Sequence, residues 1–595
     1  MSQILGFSVS RGLTASDFTN ACDAENRALS YFPHLERNSL EIGGTTLHLW
    51  GRDSISNCVH IMPDGSTLAL IGSPHHSVPW RDVQEKLLKA ERDEDFLLPW
   101  EGRVILLRVT ADGDSWTLWN DWLGSMPVYH MESSNSRIAS TLEPVTVVSA
   151  NLTPDDFFLP GLVSLLLNGP FISDWTLYKD VKSIPPDSVI TWDERGYRAS
   201  RFWSVQPSQT RWESLWDDLV DEMHALSQKA IADILKQHPR WVMPLSAGLD
   251  SRLIAGVAAD TGVEVQSYAW GSSDNTDVIY SREITKALGF PWKHIDLPKD
   301  FLMKYTRRWF DMFGTAMHFQ GMYLMSFLDE IQAEPPAPMI TGFIGDVLSG
   351  DGLDDSVRFQ ATKRYQVNHE WYSDWDPSLL LSTMKRPLSD ALEENAANIR
   401  MEIDSYPGAK HQKLMYLELW SRQRTFTNFL STLKDYWRGV ATPFLDRTYA
   451  RFCFSLPMAV LDDRRLLGDV FRRYYGKLAV IHGTYGSEPY TMTGKYFLRK
   501  KLVNRIPTAL RKPFMKGLEK TSLCVDFEPL QAYGKKSVWP LFEAWDQLSE
   551  WFDMKQVESD FQAVMTSTSD VRPLRRLQAV QTLASRLLPS SQSVG

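Results

Sequence analysis

The sequence predicts a two-part chain, a β-rich first third over residues 1 to about 205 and an α/β remainder. Three observations carry this reading. Short β-branched and aromatic runs separated by Gly, Asp and Pro fill the first part. Beyond residue 210 the apolar spacing changes from two to three and four. At 241–262 an apolar run passes through a small-residue loop into a helical pattern.

Taken in order, "TTLHLWG" (45–51), "STLALIG" (66–72), "GRVILLRVTADGDSWTLWND" (102–121) and "SVITWDERGYRASRFW" (188–203) read as strands. Asp112–Gly113 marks a hairpin turn. "SVQPSQT" (204–210) is polar, contains a proline and reads as a linker. Leu219, Met223, Leu226, Ala230 and Ile234 then predict a helix with one buried face. No internal repeat is visible, and the tail "PSSQSVG" (589–595) is expected to be disordered.

With 595 residues, 43% hydrophobic and 23% charged, the chain is long enough for ordinary globular cores without staples. Its net charge of −10 argues against a nucleic-acid binder. The four cysteines, Cys22, Cys58, Cys453 and Cys524, form no CxxC pair, so neither a disulfide framework nor a structural zinc site is expected. "MSQILGFSVS" lacks the pattern of a signal peptide. The longest apolar run, Leu162 to Leu167, is far too short to span a bilayer. The expectation is a cytoplasmic protein without a membrane partner, its 22 tryptophans serving mainly in core packing.

"WVMPL" (241–245) reads as a buried strand and "SRLIAGVAADTG" (251–262) as a helix ending at Gly262. The intervening "SAGLD" would offer backbone N–H groups and a helix N-terminus to an anion. Ala247 and Gly248 leave room for close approach, and Ser246 and Ser251 add hydroxyls. Asp250 would repel phosphate unless a cation lay between, which points to Mg²⁺. The bland alternative is an ordinary strand-to-helix turn with a capping Asp or Ser. No G-K-[ST] follows, so this is not a Walker loop.

S-x-G-x-D-S in this context resembles the PP-loop of ATP pyrophosphatases. "VEVQSYAWGSSDNTD" (263–277) reads as the next parallel strand, ending at Trp270 and Gly271. "PMITGFIGDVLSG" (338–350) reads as a third, ending in a glycine-rich turn with Gly342 and Asp346. Ligands of open α/β sheets bind beyond the carboxyl ends of such strands.

The spread of motifs is similar to the asparagine synthetase family. Asp121, Gly124, Pro127 and Tyr129 form a D-x-x-G-x-x-P-x-Y turn like that of the family's first domain; "DWTLYKDVKSIPPDSVITWD" (174–193) looks like its closing segment, and "ATPFLDRTY" (441–449) like a stretch of its second. The resemblance implies an Ntn-hydrolase-like α+β sandwich at 1–205. It implies a PP-loop synthetase domain at 215–585, a parallel sheet with many helices of the adenine nucleotide alpha hydrolase type. Where glutamine-dependent members begin Met-Cys, this chain begins Met1–Ser2, and "ALIGSPH" (69–75) replaces the glutamine-holding run. The first domain would then lack the catalytic cysteine and act as a scaffold, without glutamine as amine source.

Asparagine synthetases carry Glu, and β-lactam synthetases Tyr, three residues before the metal-binding aspartate; here that residue is Phe343, and Val347 follows Asp346 in place of the usual glutamate. "LSAGLDSR", "GFIGDVLSG" and "ELWSRQRTF" resemble the lasso peptide cyclases, or macrolactam synthetases. That branch implies ATP and Mg²⁺ as cofactors, with Asp250 and Asp346 as metal ligands. Nucleotide contacts would fall to Leu245, Ser246, Ala247, Gly248, Asp250, Ser251, Trp270, Gly271, Gly342 and Arg422. Lys477, in a K-L-x-V-x-x-G frame, would be the catalytic cation beside Asp250 and Asp346; alone it reads as a solvated residue near Arg472 and Arg473. The partners implied are a linear precursor peptide and a leader-peptide protease. The competing readings are a β-lactam synthetase-like or an ammonia- or amine-dependent asparagine synthetase-like enzyme, and a non-catalytic ATP-binding partner protein.

Overall fold

A computed structural model describes residues 3–52, 55–207, 209–211, 214–317, 319–332, 336–351, 377–483, 527–566 and 572–588. Ser2 and the tail 589–595 lie outside them.

Among these residues the strands form three sheets. β1 (Ile4–Arg11), β2 (Glu36–Ile42), β3 (Thr45–Gly51), β8 (Tyr129–Glu132), β9 (Arg137–Ser140) and β10 (Lys182–Ser183) make the first, in the order β10-β8-β9-β1-β3-β2. β4 (Val59–Ile61), β5 (Thr67–Pro74), β6 (Gly102–Val109), β7 (Trp116–Asn120), β11 (Ser188–Asp193) and β12 (Gly196–Arg201) make the second, in the order β12-β11-β7-β6-β5-β4. Both are antiparallel.

The period-two alternation of β6 shows how they stack. Ile105, Leu107 and Val109 join Phe7, Val9, Leu47 and Leu49 in the core between the sheets. Val104 and Leu106 point the other way, onto Val83 and Leu87 of helix α2 (Trp80–Lys89). Helices α1 (Ala15–Leu29) and α3 (Glu143–Ser149) cover the first sheet through Ala21, Ala24, Ala28 and Val145. The layers run helix, sheet, sheet, helix. The apolar run at 162–167 lies in helix α4 (Leu159–Asn168), apolar on all sides because it packs against helices Ser389–Ser405 and Arg572–Leu587. No helix among the described residues is long and apolar enough to cross a membrane.

In the segment 204–210, expected as a linker, the first two residues are held by the fold: Val205 is buried, Ser204 donates to Asp187, and Arg451 donates to the Ser204 carbonyl. Helix α5 (Trp216–Leu235) follows, burying Leu219, Met223, Ala230 and Ile234. The third sheet is parallel throughout, with β13 (Arg240–Pro244), β14 (Glu264–Trp270), β15 (Trp292–Ile295), β16 (Met339–Ile340) and β17 (Val440–Ala441) in the order β15-β14-β13-β16-β17. The chain adds strands to one side of β13 and then returns to its other side. The reversal leaves a crevice between the carboxyl ends of β13 and β16.

The D-x-x-G-x-x-P-x-Y turn docks the two halves. Asp121 closes the turn by accepting from the Leu123 and Ser125 amides. Trp122 Nε1 donates to the Leu445 carbonyl (2.9 Å), and Asn428 Nδ2 to that of Ser125 (2.7 Å). The buried Arg424 donates to the carbonyls of Gly124 and Ile184. Gly124 has φ of +59°, and a Cβ there would come within 3.0 Å of Arg424 Nε, so glycine fits on both counts. Arg424 lies in a π-helical stretch, Glu418–Thr427, a departure from α geometry that often marks functional sites.

Candidate functional site

The loop after β13 and the loop after β16 meet at the crevice. The first runs from Leu245, whose amide still pairs with the Tyr268 carbonyl, into helix α6 (Leu249–Thr261), capped by Gly262 at φ +70°. The second passes Gly342, Phe343 and Ile344 into the short turn Gly345–Leu348. A Cβ on Gly342 would lie 2.7 Å from Asp250 Cβ, and one on Gly345 would lie 2.8 Å from Asp250 Oδ1. These glycines form a cradle for Asp250. Ile344 between them has φ of +63°, an outlier for a β-branched residue that costs on the order of 1–3 kcal/mol.

Both carboxyls of the pair, Asp250 and Asp346, are raised by burial. Burial pushes Asp250 up to about 6; Arg464 works against this and Asp346 adds to it. Asp346 is also raised, by burial and then by Asp351, with Arg422 and Arg464 opposing.

The loop amides expected to be open to an anion have partners within the chain. Ala247 N donates to Asp277 Oδ1 (2.9 Å), Gly248 N to Ser246 Oγ (3.1 Å) and Ser246 N to Ser251 Oγ (3.3 Å). An incoming phosphate would exchange with these bonds.

Trp270 ends β14, half-buried, with its ring 4.5 Å from that of Phe327. Gly271 follows at φ +101°, its amide on the Ile295 carbonyl. Arg422 pairs with Glu418 at 2.5 Å on the π-helical stretch. Phe343 is buried in the core that holds Leu245, Ile340 and Phe444. Lys477 is exposed on the short helix Gly476–Ala479. His75 is buried, and burial holds its pKa down at about 3.

Two arginines complete the site, and sequence reasoning missed both. Arg252, fully buried, donates to the Ala247 carbonyl (2.9 Å) and to those of Leu478 (3.1 Å), Ile481 (2.8 Å) and His482 (2.7 Å). It ties the segment carrying Lys477 to the loop. A lone arginine in the apolar pattern "SRLIAGVAA" was the available signal. Arg464 donates from Nη2 to Asp250 Oδ1 and from Nε to Ser349 Oγ (2.8 Å). In "LDDRRLLGD" it reads as one more surface charge, and nothing in that run separates it from Arg465.

The donor set suits a hard cation. Two carboxylates are how Mg²⁺ is usually held, with remaining positions left to water and phosphate oxygens. Among the described residues no cluster of three or more His, Cys, Asp or Glu would hold a metal unaided.

Residues 222–419 match the family model described as asparagine synthase. No curated protein matches the chain. Among solved structures, the glutamine phosphoribosylpyrophosphate (PRPP) amidotransferase from B. subtilis complexed with ADP and GMP is 10% identical, over 49% of this chain and 65% of its own, with a TM-score of 0.22. A structure described as the allosteric regulatory enzyme of purine biosynthesis is also 10% identical, over 49% and 64%, with a TM-score of 0.23. The chain thus spans a little under two thirds of each of these relatives, and likeness this slight leaves the fold to be read from the strands themselves.

Proposed function

We propose that this protein is an ATP-dependent amide-forming ligase that closes a macrolactam between a peptide's N-terminal amine and an Asp or Glu side chain. The observation that carries the ligase reading is the packing of Asp250 against Gly342 and Gly345, the latter the residue before Asp346, inside the region that matches asparagine synthase. Asp250 and Asp346 would hold Mg²⁺, and Ser246 to Ser251 would surround the phosphates. ATP would supply the chemistry that converts the carboxylate to an acyl-adenylate with loss of pyrophosphate. The amine nitrogen then bonds to the acyl carbon, AMP leaves and the nitrogen loses its proton.

Support for a peptide N-terminus as the amine comes from Phe343, which stands three residues before Asp346 where the resemblance expects a proton-handling side chain. Phe343 is apolar and buried in the core. An α-amine has a pKa near 8, against about 10.4 for lysine, so a useful fraction is neutral without a base. Orientation would then supply much of the rate. The first unit, where "ALIGSPH" (69–75) stands in place of the glutamine-holding run, is read as a scaffold. A leader-removing protease would supply the free N-terminus.

The test follows AMP and pyrophosphate release with ATP, Mg²⁺ and, separately, ammonia, a small amino acid, glutamine and peptides carrying a free N-terminus and an internal Asp or Glu. Only the peptides should drive turnover and lose one water. Asp250→Asn and Asp346→Asn should each abolish it while the fold survives. Turnover with glutamine or ammonia instead would return the protein to the asparagine synthetase-like reading.

A further inference from the structure

The chain reaches the site a third time at residues 461–465. Gly350, at φ +100°, packs so closely on this segment that a Cβ would lie 2.1 Å from the Leu461 carbonyl oxygen. Arg464 follows, itself left-handed at φ +58°, and helix Arg465–Tyr474 begins. A non-glycine residue persists in that conformation only when its surroundings fix it. Here both ends of the guanidinium are fixed: Nη2 donates to Asp250 and Nε to Ser349 Oγ, which itself donates to the Gly345 carbonyl at 2.7 Å. The side chain is 12% exposed. One arginine therefore bridges the loop after β13 to the loop after β16.

Asp250, Asp346 and Asp351 all act on Arg464, and Arg422 acts on Asp346 from the π-helical stretch. Among the described residues, three carboxylates thus stand against two guanidiniums, one already paired with Glu418. With Oδ1 on the Arg464 guanidinium, Asp250 offers a divalent cation a partly neutralised carboxylate, and the two positive charges repel each other across it.

The geometry points to Arg464 as the internal counter-ion of the Asp250–Asp346 pair, a positioning residue that holds the two loops together and yields Asp250 to an arriving divalent cation. This rests on the reading of Asp250 and Asp346 as cation ligands. It goes beyond that reading in making the cation's affinity a competition with a residue of the chain itself. Without Arg464 the loops should be less stable when metal-free and should hold the metal more tightly.

The probe is Mn²⁺ alone, titrated into the full chain and followed by loss of the free-ion paramagnetic resonance signal. Thermal unfolding is measured with and without the ion. Arg464→Met should bind Mn²⁺ about tenfold more tightly than the wild type, the scale of one charged hydrogen bond removed from competition. Its metal-free melting temperature should fall, and Mn²⁺ should restore it more than it raises that of the wild type. Arg464→Lys should stay near wild type. Should Arg464→Met not fold, Arg464→Gln, which keeps a donor for Asp250 but no charge, decides by the same readout. Equal or weaker Mn²⁺ binding in a folded Arg464 variant overturns the proposal. If Asp250→Asn and Asp346→Asn leave Mn²⁺ binding unchanged, the ligand assignment falls and this inference with it. If they weaken it and the Arg464 variants do nothing, only the inference falls.

Discussion

Asp250 rests directly on Gly342: a methyl group there would stand 2.7 Å from the aspartate's Cβ and 3.1 Å from the Ser251 amide nitrogen. Backbone, not a flexible side chain, lies behind that contact, so the loops can make room only by moving apart. Gly342→Ala should therefore separate Asp250 from Asp346. Overpacking of this kind costs about 1–3 kcal/mol, but the expected loss in ATP-dependent AMP formation is larger, tenfold or more. AMP release and thermal unfolding measured on the same preparation check this. A variant with wild-type AMP release would show that the close approach has no part in turnover.

Lys477→Met should slow turnover far more than it weakens ATP binding. Arg252 fastens residues 478, 481 and 482 to the Ala247 carbonyl side of the loop, which brings the lysine's segment alongside the crevice. An ammonium acting on charge that develops only in the transition state contributes to rate rather than to ground-state affinity. Losing one such donor typically costs on the order of 100- to 1000-fold. Single-turnover kinetics with a precursor peptide would measure it. A variant within a few fold of wild type would return Lys477 to a solvated residue and move attention to Arg422.

The two units are joined by a buried ion pair, Arg103 Nε to Asp435 Oδ2 at 2.9 Å, with Arg103 also donating to Asn428 and Thr432. Asp435 accepts in addition from Ser73 Oγ and from the Val440 amide at the start of β17. Arg103→Met leaves that carboxylate buried without its cation, a change that costs about 3–5 kcal/mol. The double variant with Asp435→Asn should cost less than the sum of the two single variants. Urea unfolding of the four proteins measures both effects, and a single-variant loss below about 1 kcal/mol would deny the pair its joining role.

Glu143 gives a pH signature away from the crevice. Burial raises its carboxyl from 4.5 to about 7, against the opposing effects of the Thr315 hydroxyl and Arg586. Between those values the folded chain holds a proton that the unfolded chain has lost, so this group's contribution is full below pH 4.5 and disappears as pH rises through about 7. Glu143→Gln removes that dependence. Relative to wild type it should gain stability above pH 7, by at most ~3 kcal/mol, and little below pH 4.5. Denaturant midpoints at pH 4.5 and pH 8 test this, and equal differences at both would contradict it.

Much of the local structure is legible in the chain. The apolar run in "GRVILLRV" predicts a strand, and spacings of three and four predict the helix that carries Leu219 to Ile234. Small residues between an apolar run and a helical pattern predict the loop at 246–251. Each depends on neighbours within a few residues, where steric and periodic rules act directly. Less is legible where the element is short. β15 has four residues and β17 two, too few to establish a period.

The arrangement of the site is another matter. Its carboxylates, glycines and loop sequence are read from the chain, because Asp250, Gly342 and Asp346 sit in recognisable local contexts. Only the tertiary structure decided that β16 lies beside β13, that Asp277 and Ser246 already occupy loop amides, and that Arg464 is paired with Asp250. That pair spans 214 residues of sequence. The physical reason is range: backbone periodicity is set by adjacent residues, whereas burial and charge pairing depend on which distant segments the folded sheet brings together. An arginine in a charged run looks the same whether water or an aspartate waits for it.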